Sequence, residues 1–209
     1  MDLLQAREAY QRLSPRESSR AAVFPHQADL DRYNASPPET QREYLEVMEA
    51  LLTWGDDWER NTAAPFLQNV PTSPDLLGRL VEVYVTQGRD DSDPLATLLG
   101  NSWFMMSDDQ FDKLRDVFLR DPGRHLKIAQ AVLRHWPSGI AWDVAIRVAR
   151  TTGDVRVLES VFNAAFAAQR VPDYHAALQG LPEPLLREYA SRRRPTEAAE
   201  FLRAVGLTP

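Results

Sequence analysis

The chain has 209 residues, 44% of them apolar and 26% charged, a formal net charge of −6 and no cysteine. Those values describe an ordinary globular protein of one domain, or of one domain with a small appendage. The missing cysteine excludes disulfides, thiolate nucleophiles and Cys-ligated zinc or iron–sulfur clusters together.

At the N-terminus, Asp2, Arg7, Glu8 and Arg12 interrupt the apolar stretch that a secretory signal would require. No apolar run in the chain approaches the ~20 residues of a membrane-spanning helix. A cytoplasmic protein is expected. Residues 1–35 are expected to form a helical arm or appendage, and residues 36–209 the main domain. Ser14-Pro15-Arg16-Glu17 is a helix-start signal, but the segment after it is polar and interrupted by Pro25.

From residue 36 onward, start and stop signals recur. Ser36-Pro37-Pro38-Glu39 offers a capping serine, a proline in the first turn and a glutamate behind it. It opens a stripe of Tyr44, Val47, Met48, Leu51 and Leu52, closed by Gly55. Ser73-Pro74-Asp75 opens a second helix with Leu76, Leu77, Leu80, Val81 and Tyr84 on one side and Gly88 at its end. The alternation at Val81, Val83 and Val85 is strand-like, but the cap and the longer helical period predict a helix.

In the second half the expected starts are Ser107 (with Gln110 closing a capping box), Asp121-Pro122, Ser138, Asp154 and Pro172-Asp173. The stripes between them are Phe111, Leu114, Phe118 and Leu119; Leu126, Ala129, Val132, Leu133 and Trp136; Ile140, Val144, Ala145 and Val148; and Leu158, Val161, Phe162, Ala165 and Phe166. The helices at 139–151 and 154–170 have narrow charged stripes, so the core is expected to be densest there. After Pro182 the tail predicts two short helices ending at Gly206. Short connections between such helices require antiparallel neighbours. The expected fold is therefore all-α, made of stacked antiparallel hairpins of about 33 residues in a solenoid-like arrangement, with a compact bundle as the alternative.

Charge divides the chain. Residues 1–110 hold nine arginines against nineteen acids, formally −10, and residues 111–209 hold fifteen basic groups against eleven acids, formally +4. Only Lys113 and Lys127 are lysines, and the heavy use of Arg, Ala, Leu and Pro points to a GC-rich bacterial genome.

None of the four histidines, His26, His125, His135 and His175, sits in a metal or di-iron helix motif. Asp90, Asp91 and Asp93 lack the glycine and terminal glutamate of a calcium loop, and Asp93 reads instead as the cap of a helix starting at Pro94. Glu39, Glu43, Glu46 and Glu49 lie opposite the apolar stripe of their helix and read as a solvated face. The glycines form no phosphate-binding loop. No cofactor, no metal and no catalytic residue is expected.

Two features remain. Arg120, Arg124, Lys127 and Arg134 form a basic stripe, and Arg192, Arg193 and Arg194 a basic cluster; either could meet a nucleic acid or an acidic partner, or form a solvated face. Trp103, Phe104, Met105 and Met106 form an aromatic and methionine group that suits either a protein-binding patch or, more simply, a connection tucked under the core. The expected function is a non-enzymatic protein-interaction scaffold or regulator, an adaptor or inhibitor, with nucleic-acid binding as the alternative. The −10/+4 polarity also allows salt-sensitive self-association.

Overall fold

A computed structural model describes residues 1–15, 25–135, 138–167 and 169–209. Among the described residues there are thirteen α-helices, two short 3-10 turns and no strand. The chain divides into two compact units, Met1–Lys113 and Leu114–Pro209. Moving the charge division from residue 110 to 113 adds one acid and one base, so the first unit carries −10 and the second +4.

The first unit contains α1 (Leu3–Leu13), α2 (Pro25–Ala35), α3 (Pro38–Trp54), α4 (Asp57–Gln68), α5 (Pro74–Thr86), α6 (Pro94–Asn101) and the first turns of α7 (Asp108–Arg120). Its odd-numbered helices neighbour one another in order, α1 on α3 and α3 on α5, as do the even-numbered α2, α4 and α6. The two series meet mainly through α3 with α4 and α5 with α6. Among the described residues of 1–35, Ala6, Ala9, Tyr10, Leu30 and Tyr33 are buried, and α1 packs along α3.

Local signals explain several helix ends. Ser73 accepts from the Leu76 amide at 3.1 Å, Asp93 caps α6 through the Leu95 amide at 2.9 Å, and Ser107 and Gln110 close their box. Gly88 and Gly206 take the left-handed conformation. Gly55 is fixed by space: a Cβ there would sit 2.3 Å from the Leu51 carbonyl oxygen and 2.7 Å from Glu59 Cβ.

Four signals read differently. Ser36 does not cap α3; its hydroxyl donates to the Arg32 carbonyl, and Pro37 takes the N-cap place. Pro25 opens α2 instead of interrupting a helix, as its missing N–H allows. Asp121 makes no capping bond, and Pro122–Arg124 form a 3-10 turn before α8 (Leu126–His135). Finally, Asp56 and Glu59 form a reciprocal capping box for α4 that the apolar periodicity does not reveal.

In the second unit, α8 is followed by α9 (Ser138–Thr152), α10 (Arg156–Ala167), α11 (Val171–Ala177), α12 (Glu183–Ser191) and α13 (Pro195–Ala204). Helix α10 packs against α8, α9 and α11, but the apolar stripes expected on α9 and α10 are not wholly buried, since Ile140 is 54% and Phe166 68% exposed. Trp136 and the start signal at Arg16-Glu17 lie outside the described residues, as do the side chains of His26, Trp103, Arg134, His135, Asn163 and Ala165.

Candidate interaction surfaces

In the first unit the joints between helices are polar. Asp29 is buried and accepts from the Tyr10 hydroxyl at 2.7 Å and from Ser14, while Arg32 reaches both Ser14 and Asp29. Tyr44 of α3 donates to the Leu13 carbonyl at 2.6 Å. Together these bonds fasten α1, α2 and α3. At the opposite end of α3, buried Asp93 pairs with Arg89 and lies 3.5 Å from Arg60 Nε. The same arginines donate to the carbonyls of Thr53 (2.7 Å) and Gly55 (2.9 Å), which the end of α3 leaves without helical partners. Arg7 of α1 binds Glu59 through two bonds of 2.6 and 2.9 Å. The Arg7 bond holds the Glu59 carboxyl below the ordinary carboxylate range, against the opposing effect of its burial.

This framework leaves a groove of ≈390 Å³ on α3, α5 and the chain start. Glu46, Glu49, Ala50, Thr53 and Trp54 of α3 line it with Arg79, Val83 and Met1. Trp54 is 59% exposed there, on the last turn that Gly55 terminates. Arg79 is committed to Glu49 by two hydrogen bonds, the longer 2.8 Å. Glu46 is exposed and makes no ion pair among the described residues. The acidic face expected to be wholly solvated is therefore divided: Glu43 and Glu49 tie α3 to α1 and α5, while Glu46 borders the groove.

A second depression of ≈410 Å³ lies beyond the Arg7–Glu59 pair, with Tyr10, Gln11, Ser14 and Trp58 on its walls. Trp54 and Trp58 thus stand either side of the α3–α4 corner, both largely exposed. Trp54 and Trp58 are large apolar side chains that this corner leaves exposed.

The second unit has a different interior. Phe162, Tyr174, His175, Tyr189 and Phe201 form a continuous aromatic cluster. Arg193 enters it with its guanidinium carbon 3.8 Å from the centre of Phe162 and 4.4 Å from that of Tyr189. Its nearest acid is Glu159, at 3.6 Å. Arg193 Nε and Nη2, the Tyr189 hydroxyl and His175 Nε2 are buried without hydrogen-bond partners. Burial, and secondarily the Arg193 charge, lowers the His175 pKa; burial raises that of Tyr189. These atoms have essentially no accessible surface, so the cluster is a packed core and not a binding cleft.

The basic features are distributed accordingly. Arg120 ends α7, Arg124 ends the 3-10 turn and Lys127 lies in the first turn of α8; all three are exposed within one short stretch of chain. The Arg192–Arg194 cluster does not present three cations to solvent. Arg193 is turned into the aromatic core, Arg192 pairs with Glu188 at 3.1 Å, and Arg194 is exposed at the start of α13. In the 103–106 group, Phe104 is 69% exposed and Met105 and Met106 are half-buried, so the simpler reading of a tucked connection does not hold for Phe104.

No group of three or more metal-ligating side chains occurs among the described residues, and none of their helices is long and apolar enough to cross a membrane. No protein-family model, curated protein or solved structure matches the chain.

Proposed function

We infer that the chain is a non-enzymatic, cytoplasmic protein-interaction scaffold of stacked helical hairpins, working as an adaptor or inhibitor. The observation that carries this reading is Trp54, a large side chain left 59% exposed in a preformed groove whose walls are held by the Arg79–Glu49 pair and by Arg89 on Thr53. Tryptophan is among the residues that dominate binding energy at protein interfaces. A groove already fixed by ion pairs spares a partner part of the ordering cost of association. Helices α3, α5 and α7 begin at Pro38, Pro74 and Asp108, a spacing that suits hairpins repeated in a stack.

The test is affinity capture from the host with wild-type and Trp54→Ala baits, followed by titration of each differentially retained protein against the purified chain. At least one direct binder is expected, weakened tenfold or more by Trp54→Ala. If no direct binder depends on Trp54, the reading is wrong.

A second reading, nucleic-acid binding, is supported by the exposed Arg120, Arg124 and Lys127 in a unit of charge +4. It is weakened by the inward turn of Arg193. Fluorescence anisotropy with labelled duplex and single strands at about 50 mM salt decides it, because electrostatic affinity is greatest at low salt.

A further inference from the structure

The groove and the basic stripe have complementary chemistry. The groove presents an exposed tryptophan, small residues at Ala50 and Thr53, and Glu46, in a unit of charge −10. The end of α7 presents Leu119, 42% exposed, next to exposed Arg120. From residue 115 to 127 the chain carries Arg115, Arg120, Arg124 and Lys127 against Asp116 and Asp121, a formal +2 in a unit of charge +4. An apolar anchor beside a cation suits a tryptophan-walled groove in which Arg79 neutralises Glu49 and Glu46 is left as the carboxylate without an ion pair among the described residues.

We propose that the Trp54 groove of one chain seats the Leu119–Arg120 end of α7 of a second copy, with Leu119 against Trp54 and Arg120 against Glu46. This rests on reading the groove as a seat for protein. Arg120 enters at little cost, since among the described residues its guanidinium donates to the Asp116 carbonyl one turn back, at 3.0 Å, and makes no ion pair. Groove and anchor are different patches, so the contact is head-to-tail and adds copies in series unless the geometry closes a ring. Rim charges set the rate and salt dependence of such a contact, and the apolar anchor sets its lifetime.

Sedimentation velocity of the full chain over a range of concentrations, at about 50 mM and about 500 mM salt, tests this, because exposed charges are screened over a few ångströms at the higher value. The expected result is a mass that rises with concentration at low salt and falls towards the monomer at high salt. Trp54→Ala and Leu119→Ala should each weaken the association tenfold or more. Glu46→Arg and Arg120→Glu should each be monomeric alone, by like-charge repulsion, and should assemble when mixed in equal amounts. All four positions are exposed, and far-ultraviolet circular dichroism verifies that each variant is folded. A wild-type chain that stays monomeric throughout, or a mixture of the two charge variants that stays monomeric, overturns the proposal. A monomer that still binds a host protein through Trp54 would overturn this proposal and leave the scaffold reading standing.

Discussion

The two units solve the same problem, holding short helices together, with opposite chemistry. In the first, buried polar groups are largely matched: Asp29 receives Tyr10 and Ser14, Asp93 receives Arg89 and an amide, with Arg60 Nε buried and unbonded 3.5 Å away, and Tyr44 finds a carbonyl. In the second, the rings of Phe162, Tyr174, Tyr189 and Phe201 surround His175 and Arg193, and several polar atoms are buried unmatched. Matched buried groups are costly to break, whereas unmatched ones can be removed with little loss. The same kind of substitution should therefore have different effects in the two units.

The largest difference concerns charge. Asp93→Ala leaves Arg89 and Arg60 without their shared carboxylate and uncaps α6, and should cost about 3–5 kcal/mol in urea unfolding. Arg193→Met, which keeps the stem in the aromatic cluster and removes an imperfectly paired cation, should change stability by no more than about 1 kcal/mol in either direction. Equal costs would erase the contrast. A smaller effect comes from single hydroxyls. Tyr44→Phe should lose about 1 kcal/mol with the bond to Leu13, and Tyr189→Phe should be neutral or slightly stabilising; thermal unfolding of the two variants distinguishes them.

The smallest effect is one of order. His175 has a folded-state pKa below its ordinary 6.5, so the unfolded chain takes up the proton first. Its contribution is complete above about pH 6.5 and is lost as the pH falls below that value. Glu59 is likewise held below its ordinary 4.5, so its contribution is complete above about pH 4.5 and is lost on further acidification. On acidification the second unit should loosen before the first, which amide hydrogen exchange read by mass spectrometry resolves unit by unit.

The helices were legible wherever a local signal carried them. Ser73, Asp93 and Ser107 cap as their sequence context predicts, because capping is decided within one turn. Asp56–Glu59 is equally local but lies outside the apolar stripes that mark the helices in the sequence. Ser36 and Asp121 show the limit: the residue type was right, and each backbone adopted an alternative hydrogen-bonding pattern. The groove was less accessible to sequence, since its walls come from residue 1, from 46–54 and from 79–83. One trace was present. At roughly 100° per residue, Ala50 and Thr53 fall on the side of α3 away from Tyr44, yet both are buried, and small residues on a polar face mark a close neighbour. Arg193 gave no such sign, because three consecutive arginines do not reveal which one faces inward.

Thr53 belongs to two structures at once. Its residue forms part of the groove, and its carbonyl accepts the Arg89 guanidinium that holds the α5–α6 connection through Asp93. A molecule that fits the groove only while this joint is closed is thermodynamically linked to the joint, and stabilises it by an amount that grows with the logarithm of its concentration. Occupancy of the Trp54 seat then reads out some way along the chain, as slower amide exchange at the first turn of α6, without any change of shape.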